Sequence, residues 1–279
     1  MRKSRYTLVA IAVLAILQSC TERIELDLND EDSQRMVVEG WITNEEMKHE
    51  IELTETTSYF FEEAAPRVSG ATVTITDGDS TWDLDEEEPG KYRTPLITPQ
   101  TDKWYTLTIN HDGEEYTATS YMRPTFPLDS LNVRVLDPLE EFGFPADPYY
   151  SVRIWTQEVP GTGDSYMWTM NVNSESVRDT LNELSFVNDD LYDGIYVPDV
   201  EIHSLEIDIE ATIGDTVEVI QWNIGREGYD VFVGILNETA FNGGLFDAPP
   251  ANVNTNISNG AVGYFGAAGV TRRSTIINE

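Results

Sequence analysis

The chain is poorest in cysteine and in positive charge. A single cysteine, Cys20, stands among 279 residues, so no intrachain disulfide can form and the fold has to rest on its hydrophobic cores. Lysine occurs only at Lys3, Lys48, Lys91 and Lys103, and all bases together number 17 against 50 acids, for a formal net charge of −33. Phosphate backbones and anionic headgroups are gripped by Lys and Arg. This balance therefore argues against nucleic acid as a partner and turns the body of the protein away from anionic surfaces. Histidine is scarce too: His49, His111 and His203 each stand alone, so neither a zinc cluster nor a nucleophile with its base is visible. Gly-x-Ser-x-Gly, a phosphate loop and His-Glu-x-x-His are all missing. The expectation is a protein that is not an enzyme. Paired carboxylates for glycoside chemistry stay open, because their separation is a property of the fold.

Long apolar runs are missing as well. Leu8 to Leu17 is a run of ten residues behind Arg2, Lys3 and Arg5, too short for the ~20 residues that a spanning helix needs, and reads as the core of a signal peptide covering residues 1–19. Leu17-Gln18-Ser19-Cys20 resembles the lipobox of bacterial lipoproteins, with Leu at −3, Ser at −1 and the less usual Gln at −2. It marks Cys20 as the residue that is acylated before the signal is cut in front of it. Loss of residues 1–19 removes three bases and no acid, leaving 14 bases against 50 acids, a formal −36. Residues 21–34 (TERIELDLNDEDSQ) hold six acids and one base and read as an extended leash, reaching at most about 45–50 Å. Thr21 after the cysteine, and the early acids Glu22, Glu25 and Asp27, resemble outer-membrane sorting and surface-export signals.

What is present is enough apolar material for folding: 40% hydrophobic residues and 10% aromatic rule out general disorder. From Arg35 to Met122 the period is two, through Met36–Thr43, His49–Thr57, Ala71–Asp77 and Tyr105–Ile109, with turns at Asp77-Gly78-Asp79 and His111-Asp112-Gly113. About seven short strands without a helix predict an immunoglobulin-like β-sandwich over residues 35–123. Pro124 and Pro127 mark a linker over 124–129. Residues 130–279 read as a second β-rich domain, with strands at 130–137, 149–159, 164–174, 200–211 and 216–224 and a closing strand at 270–277. In 200–211 Glu206, Asp208 and Glu210 face one way, and Leu205, Ile207 and Ile209 the other. Tyr229, Phe232, Val233, Leu236 and Ala240 follow a helical stripe, predicting one helix near 227–241 stopped by Gly243-Gly244. The fold class is all-β, with one helix in the C-terminal half.

Four features in order resemble a family of Bacteroidota outer-membrane lipoproteins of unknown function, with an immunoglobulin-like N-terminal half, often encoded beside TonB-dependent receptors. They are the Cys20 region leading to Met36-Val37-Val38-Glu39-Gly40-Trp41; Val68-Ser69-Gly70-Ala71 with Gly90-Lys91-Tyr92; Asp189-Asp190-Leu191-Tyr192-Asp193-Gly194; and Phe246-Asp247-Ala248-Pro249-Pro250 followed by Asn256-Ile257-Ser258-Asn259-Gly260 and Gly263-Tyr264-Phe265-Gly266-Ala267. The resemblance implies a cell-surface location and a TonB-dependent β-barrel receptor as partner. It supplies no catalytic residues.

Two candidate sites follow from the residues themselves. Asp189, Asp190 and Asp193 could supply oxygen ligands to a weakly held calcium ion, against the plainer reading of a solvated turn. Phe246, Tyr264 and Phe265, set among Gly, Pro and Asn in a late loop, could grip a partner, against the plainer reading that they plug the end of a sheet. The other aromatics, Trp82, Trp104, Trp155, Trp168 and Trp222, lie in strands and mostly mark cores. The expected function is a non-catalytic surface lipoprotein, lipid-anchored at Cys20 in the outer membrane, acting as accessory or binding component of a TonB-dependent receptor system. A stand-alone glycan- or ligand-binding lipoprotein is the alternative.

Overall fold

The computed structural model describes residues 34–57, 64–161, 163–178, 180–190, 192–240 and 253–278. Cys20, the acidic leash and Phe246 lie outside the described residues. The alternating first half forms β1 (Met36–Thr43), β2 (Glu50–Glu55), β3 (Thr72–Thr76), β4 (Thr81–Glu88), β5 (Lys91–Arg93), β6 (Lys103–His111) and β7 (Glu114–Met122). They pair as β1-β2-β5-β4 and β3-β6-β7, with β3 and β4 joined as a hairpin, the strand order of an immunoglobulin sandwich. Period two decides which side chains go in: Tyr105, Leu107 and Ile109 of β6 are buried, while Thr106 and Thr108 between them are only half-buried. Ile42, Leu53, Ile75 and Tyr92 meet them in the first core.

The rest of the chain adds β8 (Leu128–Leu136), α1 (Pro138–Phe142), β9 (Tyr149–Gln157), β10 (Ser165–Val172), β11 (Glu175–Arg178), β12 (Ser185–Asn188), β13 (Tyr196–Glu206), β14 (Thr216–Asn223), α2 (Gly225–Ala240) and β15 (Val262–Ile276). Sheet β13-β9-β8 and the run β11-β10-β14-β15 both contribute to a second core, where Val152 and Ile154 meet Trp168, Met170, Val217 and Val219. The protein is all-β, with α1 and α2 the helices of the described residues. Several elements differ from the sequence reading: α1 is a second helix where one was expected, β11 and β12 fall where no strand was read, β8 begins at Leu128 inside the expected linker, and β13 begins at Tyr196 rather than 200. The alternation expected through Ala211 stops at Glu206, because the chain turns there: Asp208 takes a φ of 62°, leaving Ile209 78% exposed. The closing strand begins at Val262 rather than Val270.

That longer strand joins the two sandwiches. Residues 262–268 of β15 pair parallel with β1, and residues 269–276 pair antiparallel with β14. On its other side the first part of β15 lies against β7, linked by the Arg123–Ala268 bridge and by the Ala267 N–H donating to Ser120 Oγ at 2.9 Å. It thus fills the gap between the first and last strands of the N-terminal sandwich. Asn256 and Ser258 stitch the same gap. Asn256 Nδ2 donates to the carbonyls of Thr119 and Phe265, Asn256 Oδ1 accepts from Phe265 N–H, and Ser258 exchanges bonds with the Thr117 backbone. Covering β7 in this way removes an open edge. The glycine- and alanine-rich sequence of 261–269 follows from crowding: a Cβ at Gly266 would run into the Trp41 indole, and one at Gly263, where φ is 99°, into the Val38 carbonyl.

Candidate functional site

Between the two layers of the C-terminal sandwich lies a cavity of about 240 Å³. Ile154 from β9 and Ile202 from β13 line it from one layer, and Tyr166, Trp168 and Val187 from β10 and β12 line it from the other. Tyr166 and Trp168 sit two residues apart on one strand face, ring centroids 6.4 Å apart. The indole is fixed by its Nε1–H donating to Gln221 Oε1 at 3.0 Å, and the Tyr166 hydroxyl donates to Glu158 Oε1 at 3.1 Å. Burial pushes the Tyr166 hydroxyl far above its ordinary range, so the ring stays a neutral donor. Glu158, Asp189, Gln221 and the half-exposed Tyr192 are among the polar residues of the lining, which also include Thr156 and Ser185. The chemistry is that of a small, mostly apolar pocket with a few aimed polar groups. The mostly apolar wall surface suits a compact aromatic or aliphatic ligand.

One edge of the cavity is closed by an acid cluster. Carboxylate oxygens of Glu158, Asp164 and Asp189 lie within 4.8 Å of one another, and all three residues are buried. Burial raises the pKa values of Glu158 and Asp164. Much of the cluster is explained by loop fastening. Glu158 accepts from Gly194 N–H, Asp189 Oδ2 from the N–H groups of Gly163 and Asp164, and Asp164 Oδ1 from Asn223 Nδ2 at 2.8 Å, with the Arg123 guanidinium 3.9 Å away. Of the three acids expected to share calcium, only Asp189 belongs to this cluster. Asp190 pairs with Arg226 at 2.9 Å, and Asp193 accepts from Gly161 N–H at 2.8 Å. Glu158 and Asp164 were not singled out from the sequence. The signal was their placement at the two ends of the β9–β10 connection, which crosses from one layer of the sandwich to the other and so brings them together at its edge.

Of the late aromatic residues, Tyr264 and Phe265 lie in a strand rather than a loop. Phe265 lies in β15 with its ring wholly buried in the first core. Tyr264 is half-buried against Trp41, at 5.4 Å between centroids, and Trp41 also stacks on Phe232 of α2 at 5.8 Å. Trp168 is buried, as a core marker should be, whereas Trp104 is 61% exposed beside Tyr121. His49 is 2% exposed; its Nδ1 accepts from Thr43 N–H at 3.4 Å and Nε2 finds no partner, and burial lowers its pKa to about 4. His203 Nε2 is 3.1 Å from the Trp168 carbonyl oxygen, and His111 stands beside the exposed Asp112. Among the described residues, no helix is long and apolar enough to cross a membrane.

These features define an all-β protein of two sandwiches that share their last strand, with a small aromatic-walled cavity in the second. The chain belongs to the family described as Domain of unknown function (DUF4249), whose pattern matches residues 21–274 and so spans both sandwiches and nearly all of the shared strand. A comparison with curated proteins found no match.

Proposed function

We propose that the protein is a non-catalytic binding lipoprotein, held at the outer membrane by an acyl chain on Cys20 and serving as accessory or binding component of a TonB-dependent receptor system. The observation that carries the binding part is the cavity between β9/β13 and β10/β12, with Tyr166 and Trp168 as its aromatic wall. Arrangement favours binding over catalysis. The raised carboxyls of Glu158 and Asp164 resemble groups poised for proton transfer, but their described hydrogen bonds run to loop N–H groups, the Tyr166 hydroxyl and Asn223, so they read as a fastening. The anchor and the receptor rest on the Leu17-Gln18-Ser19-Cys20 segment and on the family resemblance. A ligand saturating the folded state at about 100 times its Kd adds about 2.7 kcal/mol of stability. A thermal-shift screen of single-ring aromatic and short aliphatic compounds should therefore yield at least one that raises the Tm, and Val187→Phe, which fills the cavity, should abolish that rise. No stabilising compound, or an equal rise in the filled variant, would remove the cavity as the site. Recovery of no β-barrel partner from detergent-solubilised outer membrane would remove the receptor clause.

A further inference from the structure

The far end of the C-terminal sandwich carries exposed apolar side chains that no core uses. The pairs Leu136–Tyr149, Glu206–Tyr149 and Thr216–Ile276 put the β8–β9 connection (137–148), the β13–β14 connection (207–215) and the end of β15 at one end of the two sheets. Leu139, Phe142, Phe144, Ile209, Ile213 and Ile276 are each more than half exposed there. A few scattered apolar residues on a surface need no explanation, but a gathering on neighbouring loops does.

The most prominent part is built to hold its shape. Phe142 and Phe144 stack at 5.8 Å with their planes 11° apart, although both face solvent. Asp137 caps α1 by accepting from Leu139 N–H at 2.8 Å, Gly143 ends it with a φ of 77°, and Pro138, Pro145 and Pro148 restrict the connection. A preorganised aromatic pair loses little freedom on being gripped.

Charge selects the occupant. Segments 137–148 and 207–215 hold Asp137, Glu140, Glu141, Asp147, Asp208, Glu210 and Asp215 and no lysine or arginine. Anionic lipid is repelled by such a rim, and so is a second copy of a chain with a formal charge of −33. Position points the same way. Met36, next to where the leash joins the body, lies beside the start of β15, and the apolar end lies at its finish. Fifteen residues of strand separate the two by up to about 50 Å. This positional step rests on the lipid-anchor reading above; the charge argument does not.

We propose that the Phe142/Phe144 tip is a docking knob for another protein, one that offers an apolar pocket edged by lysine or arginine side chains.

The test is site-specific photo-crosslinking of the full-length protein in its native membrane, with p-benzoylphenylalanine at position 142 or 144 and, as control, at the exposed Trp104. The expected result is a tip adduct to a different polypeptide whose crosslinked peptide contains Lys or Arg. Its yield should fall about fivefold or more in the variant with Glu140→Lys and Glu141→Lys, as charge-complementary contacts require. Adducts only to lipid, only to a second copy, no stronger than at position 104, or indifferent to the charge reversal would each overturn the proposal. An unchanged Tm in the reversed variant separates lost docking from unfolding. Tip adducts that persist in Val187→Phe, or on protein lacking the acyl chain, would show the knob standing independently of the cavity and of the anchor.

Discussion

His49 shows how one buried ring can govern behaviour in acid. Burial disfavours its charged form and lowers its pKa to about 4 in the folded protein, against an ordinary 6.5 when unfolded. The unfolded chain therefore takes up the proton first, and stability is lost as pH falls from about 6.5 towards 4, by up to about 3 kcal/mol. Glu158 and Asp164 act in the opposite sense. Their folded pKa values are raised by burial, so ionising them costs folded stability, and part of that cost is recovered as pH falls through the raised values towards the ordinary carboxylate range. The two effects overlap in wild type and separate in variants. Between pH 6.5 and 4.5 the unfolding free energy of His49→Leu should fall less steeply than that of wild type, and that of Glu158→Gln more steeply. Denaturant titrations giving parallel curves for all three proteins would contradict both assignments.

At the scale of elements, β15 is the part whose removal should cost most. It places Phe265 and Ala267 in the first core, and the chain just after it places Ile277 in the second. A chain ending at Thr255 should lose cooperative melting in both sandwiches, and a peptide covering residues 256–278 should restore it by adding the missing strand. Residues 35–123 melting cooperatively alone, at the temperature of the whole chain, would contradict the shared-strand account. Phe265→Ala should cost about 3–5 kcal/mol, the usual range for a fully buried aromatic. The strands of the first sandwich were legible because apolar residues alternate with threonines over a half-buried sheet, and α2 because Tyr229, Phe232 and Leu236 recur at helical spacing. The first half of β15 was not legible, since glycines at 263 and 266 usually mark turns and here make room for Val38 and Trp41. Its parallel pairing with β1, more than 200 residues earlier, leaves no local trace. The cavity was hidden for the same reason: Glu158, Asp164 and Asp189 share no spacing rule and meet only when β9, β10 and the β12–β13 connection lie together.

For the whole molecule the governing quantity is negative charge, 50 acids against 17 bases. Self-repulsion at this density is relieved by salt, whose screening length drops from about 30 Å at 0.01 M to about 3 Å at 1 M. The Tm should therefore rise between 10 mM and 1 M NaCl, and equal values at the two concentrations would count against self-repulsion as a destabilising term. The same charge shapes the functional proposal, since a body that avoids anionic surfaces needs a covalent means of staying at a membrane. A single thiol, at Cys20, is available to carry it. Intact-mass spectrometry of the protein purified from native membranes tests that anchor most directly. The account predicts a polypeptide beginning at residue 20 with fatty acyl mass on that residue. A free thiol there, or a chain that still carries residues 1–19, would contradict it.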